Sequence, residues 1–311
     1  MMSKDLLFKT IILATFFLCL WTGFRLSAHK PLWNDEIYSQ MSSVEARSWP
    51  KLWNGKIPEG NNSPLFYSIQ KVITSLPAYE QRDLWKGDSP NARFFLRVAP
   101  ITFISLAIAT IVGYFLFSNG LIGGLLAFIV AVTSYMVWGY WAEARPYAMV
   151  LFGTIIQGIA LDRTIKGSPF TKGLLWIYLS HGFLALTSTI SVIQISAASA
   201  VLWLAGYKKI RLMCLYGFLP LAVAFTYYAL TVHDRLWFPP YEGPQAYILA
   251  NISSGRIEAI VLFSVFLWAL RSFMKKPVEK NVWYCALWTG LTIAGYLLLL
   301  VFMKANSCAE A

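Results

Sequence analysis

The chain is short of acids. Asp and Glu number 15 in 311 residues, charged residues of both signs make up 13%, and no acid stands centrally in a long apolar run. Cysteine is scarce as well: Cys19, Cys214 and Cys285 fall inside apolar runs and only Cys308 lies beyond them, so no disulfide framework exists. No basic stripe is interleaved with stacking aromatics, which removes the case for a nucleic-acid partner despite a net charge of +11. No convincing repeat relates the two halves, and the charges gather at the rims of the runs rather than at mid-span. Both features weigh against an ion-coupled carrier.

What is abundant is apolar. Hydrophobic residues make up 57% of the chain and the mean hydropathy is +0.55. Thirteen Trp, 16 Tyr and 21 Phe fit aromatic belts at two bilayer interfaces. Runs able to cross ~30 Å of hydrocarbon recur at roughly 8–27, 97–117, 121–140, 146–161, 173–190, 190–206, 211–231, 257–272 and 282–303. The pattern predicts an all-α, polytopic integral membrane protein of about nine spans, with the polar Thr187-Ser188-Thr189 separating the fifth from the sixth.

Basic residues give the expected orientation. With the N-terminus inside, the inner segments 1–9, 162–172, 207–211 and 271–281 carry Lys4, Lys9, Arg163, Lys166, Lys172, Lys208, Lys209, Arg211, Arg271, Lys275, Lys276 and Lys280 against Asp5, Asp162 and Glu279. The high pI therefore reflects topology, and segments 28–96, 141–146 and 232–256 lie outside. The first run (1–27) lacks a small-x-small cleavage site near Arg25–Lys30 and reads as a retained transmembrane helix. It is followed by an outer segment (28–96), a transmembrane bundle (97–303) and a short tail (304–311). Asn61-Asn62-Ser63 and Asn251-Ile252-Ser253 match the glycosylation sequon, a short pattern that is often coincidental.

The outer segment opens on Leu32-Trp33-Asn34-Asp35-Glu36-Ile37-Tyr38, an adjacent acidic pair where a helix leaves the bilayer. Two neighbouring carboxylates are poor anchors there and costly against lipid. A surface reaction or ion site explains them better than a dipole-favoured helix start. A helix is predicted from Asp35 to Trp49 with Asn34 as N-cap, its residues Ile37, Met41 and Val44 on one face as in an interfacial helix. Asn54-Gly55 and Pro58-Glu59-Gly60 mark a turn. A second helix from Leu65 to Leu76 follows Ser63-Pro64, with Leu65, Ile69, Val72 and Ile73 again suited to lying on the bilayer. Together the two would roof a lipid-accessible groove. His181 falls inside a span and reads as a packed residue, while the aromatic cluster 237–241 suits an interfacial re-entry.

Four ordered elements carry a resemblance. They are Trp33-Asn34-Asp35-Glu36-Ile37-Tyr38, Asn62-Ser63-Pro64-Leu65-Phe66-Tyr67, Ala92-Arg93-Phe94-Phe95-Leu96-Arg97 and Glu143-Ala144-Arg145-Pro146-Tyr147-Ala148. In this order, over about residues 8–210, the chain resembles the GT-C glycosyltransferases, in particular the bacterial protein O-mannosyltransferase-like and aminoarabinose-transferase-like groups. Two departures stand out: Asn62 occupies the place of a family His, and Ser188-Thr189 that of a second. Most members also run on for further spans, whereas this sequence stops where its ninth span should exit, so a compact or an inactive, shortened member is expected.

The resemblance implies a GT-C-type bundle in the plasma (inner) membrane, N-terminus cytoplasmic. Its site would be extracytoplasmic, moving a sugar from a polyprenyl-phosphate donor to a cell-envelope glycan, lipid or protein with inversion. Such transfer needs a base for the acceptor hydroxyl and cations for the departing phosphate. Asp35 is the expected base, Glu36 its orienting partner or the holder of a divalent cation, and Glu143 a second acid. Arg145, with Arg93 or Arg97, is expected to clamp the donor phosphate. Trp33, Tyr38, Asn62, Tyr67 and Tyr147 are expected to line the substrate site. No resident cofactor is required beyond that optional cation, and a flippase or transporter of lipid-linked intermediates is the alternative from another class.

Overall fold

A computed structural model describes residues 3–57, 63–80, 84, 89–167, 170–231 and 280–308. Among them the chain is all-helical, with no strand. Helix α1 (Lys4–His29) begins where Ser3 Oγ accepts the Leu6 N–H at 3.2 Å and Asp5 complements the first turn. At 26 residues and ~1.5 Å each it is long enough for the hydrocarbon core. The outer segment then holds α2 (Asn34–Tyr38), α3 (Trp49–Trp53) and α4 (Pro64–Thr74).

Helix α5 (Pro90–Thr133) starts at a Ser89 cap with Pro90 in its first turn, so it begins earlier than the apolar run at 97, and Arg93 and Arg97 ride in its opening turns. Gly120 breaks it with φ 71° and ψ −164°, a region open to glycine. Beyond the break, Gly124 lies against Leu116, and Ala127, Phe128 and Ala131 pack on the cluster that holds Ile108, Val112 and Leu116. The 44-residue stretch is therefore a tight hairpin rather than one rod. A short helix, α6 (Tyr135–Trp141), completes the returning arm.

Register shows how the helices run. Phe8 meets Phe117 with ring centroids 5.5 Å apart. A Cβ on Gly23 would lie 2.6 Å from Ile101, and one on Gly113 would lie 2.9 Å from Ile12. These pairs fix α1 and the first arm of α5 as antiparallel neighbours. Next come α7 (Tyr147–Ile165) and α8 (Phe170–Thr187), paired antiparallel through Gly153 with Leu184 and Thr164 with Gly173. Ser188 is extended, and after a single 3₁₀ turn at Thr189–Ser191 the chain returns as α9 (Val192–Leu204). It goes on as α10 (Ile210–Met213), a π-helical Cys214–Phe218 and α11 (Leu219–Thr231). Last, α12 (Lys280–Cys308) lies antiparallel to α9, with Tyr284 bonded to the Leu204 carbonyl and Gly295 against Ile193. It continues past 303 to Cys308.

Among the described residues, four helical stretches are long and apolar enough to cross a membrane: Lys4–His29, Pro90–Thr133, Tyr147–Ile165 and Ile210–Tyr227, with shorter apolar ones at Gly173–Thr187 and Thr189–Leu204. The run at 257–272 and the cluster at 237–241 lie outside the described residues. Two ends of the bundle follow. One gathers residues 27–36, 93–97, 139–147 and 187–191. The other gathers the start of α1, Gly120, the end of α7 and the α9–α10 turn, and with them Lys4, Arg163, Lys166, Lys208, Lys209 and Arg211.

The outer-segment helices are docked on protein. After α2 the chain widens into a π-helix at Ser39–Glu45, which puts Ser39, Gln40, Ser43 and Val44 on the buried side. Ile37 and Met41 pack on Leu32, Leu84, Leu96 and Ala144. Lys71 of α4 closes this π-helix, its Nζ donating to the carbonyls of Val44 at 2.7 Å and Arg47 at 2.8 Å. On α4 itself, Phe66, Tyr67 and Gln70 turn into the bundle. One side of each helix is thus docked on protein, while Val72, on the α4 face expected to meet lipid, stays exposed; the single helix expected over 35–49 is α2, the π-helix and the start of α3.

Candidate active site

Arg97 and Glu36 are the centre of the assembly. Both side chains are fully buried, with Arg97 Nη2 and Glu36 Oε2 2.6 Å apart. Arg97 directs Nε and Nη2 to the two carboxylate oxygens, Nη1 to the Ser27 and Lys30 carbonyls, and Nη2 also to the Pro31 carbonyl. A guanidinium has five N–H groups, and here all are engaged, three of them on the carbonyl-rich end of α1. Arg97 is therefore a structural tie and has no donor left for a phosphate. That corrects its expected role as a clamp.

Glu36 is equally saturated. Besides Arg97 it accepts the Trp33 N–H at 2.9 Å and the Ala144 N–H at 2.6 Å. A carboxylate offers about four lone-pair sites, so nothing remains for a divalent ion, and the orienting role is the one its geometry fits. The Trp33 bond also places the helix cap at Trp33 rather than at Asn34. The Ala144 bond holds the Glu143-Ala144-Arg145 turn, itself closed by Arg145 N–H to the Glu143 carbonyl at 2.8 Å, against the start of α2. Among the described residues no group of three or more His, Cys, Asp or Glu is arranged to hold a metal.

Asp35, one residue earlier, points the other way. Its side chain is 71% exposed, and Arg145 Nη1 stands 3.8 Å from Oδ2. Arg145 also reaches Ser39 Oγ at 3.3 Å and lies 5.8 Å above the Tyr147 ring. An open pair at that separation is worth little to stability, so both groups can be redirected to a ligand. Tyr147 is partly exposed and packs on Tyr140 with centroids 4.5 Å apart. An open recess of about 420 Å³ is lined by Asn34, Ile37, Tyr38, Met41 and Ser42; neither Asp35 nor Arg145 lines it.

Glu143 is 7% exposed. Burial pushes its carboxyl above the usual range; Lys30 and Arg145 oppose that, and Glu36 and Asp35 add to it. Lys30 donates to the Gly139 carbonyl at 3.0 Å and sits 5.1 Å over the Trp33 ring. Sequence reasoning passed over Lys30; its signal was a cation five residues before Asp35, at the exit of the first apolar run. Arg93 is turned to the end of α1, donating to the Ala28 carbonyl at 2.6 Å. Trp33 and Tyr38 are exposed, but Tyr67 is fully buried among Val44, Leu52, Ile57, Phe66 and Met149 and acts here as a packing residue. Asn62 lies outside the described residues. His181 is buried in α8 with its ring at the Tyr216 carbonyl.

Thus Asp35, Glu36, Glu143, Arg145, Arg97 and Lys30, from three separate stretches, meet at one end of the bundle. No family model, curated protein or solved structure matches the chain.

Proposed function

We propose that the protein is a GT-C-type membrane glycosyltransferase of about nine spans that uses a polyprenyl-phosphate sugar as donor. The carrying observation is an open carboxylate, Asp35, held beside the Arg145 guanidinium. In this reading Asp35 takes the proton of an acceptor hydroxyl. The hydroxyl oxygen bonds to the anomeric carbon while the bond from that carbon to the phosphate oxygen breaks, and polyprenyl phosphate leaves with the bonding pair. One-step displacement inverts the anomeric centre. Arg145 stabilises the charge that develops on the leaving phosphate, where a preorganised donor contributes about 2.7–4 kcal/mol in comparable sites.

Glu36 and Arg97 take no part in the chemistry; they fix Asp35 and the Arg145 turn relative to each other. The acceptor is a cell-envelope glycan, lipid or protein. The site end faces away from the cytoplasm in this reading, because the opposite end carries the larger excess of lysines and arginines over acids. Purified protein incubated with a panel of polyprenyl-phosphate sugars and a crude envelope acceptor is expected to release polyprenyl phosphate, followed by mass. Asp35→Asn should abolish release while donor binding persists; wild-type turnover in that variant would remove Asp35 as the base.

A further inference from the structure

The charges at the site end do not pair off evenly. Glu36 has Arg97, and Asp35 faces Arg145. Glu143 is the third acid, more than nine-tenths buried. The cation that acts most strongly on it is Lys30, and Lys30 in turn feels Glu143 before Glu36. Each favours the charged form of the other.

Lys30 is also held in place. Its carbonyl is fixed by Arg97 at 2.6 Å, its Nζ has one bond at 3.0 Å to Gly139, and the Trp33 ring lies beneath it. An ammonium has three N–H groups; one is used among the described residues and two remain. Burial pushes this ammonium below the usual lysine range while Glu143 and Glu36 draw it back up. With Arg97 saturated and Arg93 turned to Ala28, the clamp beside Arg145 lacks its second cation. We propose that Lys30 is that cation: a phosphate-contacting residue that exchanges Glu143 for the donor's phosphate. This rests on the transferase reading and names a contact that reading did not contain.

The test is retention of polyprenyl phosphate by full-length protein in lipid nanodiscs, comparing wild type, Lys30→Met and Lys30→Arg. Inorganic phosphate and an anionic phospholipid serve as competitors, and each variant's thermal unfolding is recorded. Loss of a charged hydrogen bond predicts affinity lower by about tenfold or more in Lys30→Met, with most of it restored in Lys30→Arg. Inorganic phosphate should compete more weakly than the lipid phosphate, since it lacks the chain, and the phospholipid not at all. Unchanged affinity in Lys30→Met overturns the proposal, including where that variant merely melts earlier, because a structural lysine alters stability and leaves the binding of folded protein intact. Equal displacement by any anionic phospholipid also overturns it. Should wild type itself retain no polyprenyl phosphate, the transferase reading fails first and takes Lys30 with it.

Discussion

Asp35 and Glu36 are neighbours with opposite fates, one 71% exposed and the other enclosed by four N–H groups. The sequence marked the pair but could not divide its labour, because both residues match the same acidic pattern and only the docking of residues 143–145 decides which faces inward. The same holds for the arginines: Arg97 and Arg145 look alike in sequence, yet one is used up on the end of α1. Replacing Glu36 by Gln should destabilise the protein by about 3–5 kcal/mol, since it leaves a buried guanidinium without its charge. Thermal unfolding in detergent measures this, and an unchanged midpoint would show that the pair does not hold the bundle end together. Glu143 gives a pH signature. Its native carboxyl holds its proton above the ordinary value of 4.5, so the folded chain binds more protons than the unfolded one across that interval. Stability therefore falls as pH rises through it. Glu143→Gln should flatten that slope, and an unchanged slope would assign it to other groups.

At the level of elements, the long apolar runs, the Pro64 start of α4 and the break at Thr187–Thr189 were readable from periodicity and from residues that start or interrupt helices. The π-helix was not, because one extra residue per turn leaves no mark in a pattern this short. Nor was the direction in which α2 and α4 bury their faces, since apolar residues suit lipid and protein alike. Pro100 shows how one element repairs another. It removes the N–H that the Leu96 carbonyl would accept within α5, and Gln70 Nε2 of α4 donates to that carbonyl at 2.6 Å. Gln70→Leu is expected to cost about 1–3 kcal/mol by leaving the carbonyl unmet. Combined with Pro100→Ala, which restores the helical donor, the cost should largely vanish. Additive losses in the double variant would mean that the two residues are not coupled.

For the molecule as a whole, the alternation of apolar runs with basic turns was legible because charge and hydropathy are local quantities. The meeting of residues 30–36, 97 and 143–145 was not local. Only the order of four short elements hinted at it, and the pairing of α1 with the α5 hairpin supplies the geometry. Reporter fusions after residue 57 and after residue 208 should give opposite sides of the membrane, the second on the cytoplasmic side; reporters on the same side would invert or abolish the proposed orientation.

The five-donor grip of Arg97 has a mechanical consequence. It fastens the last turn of α1, the residues leading to Asp35 and the first turns of α5 into one rigid bracket. Sliding any of these past another by a helical turn of ~5.4 Å would tear several charged hydrogen bonds together. If the proposed long-tailed donor binds here, whatever opens to admit it must hinge elsewhere, and the Asp35 carboxylate stays put while the doorway moves around it.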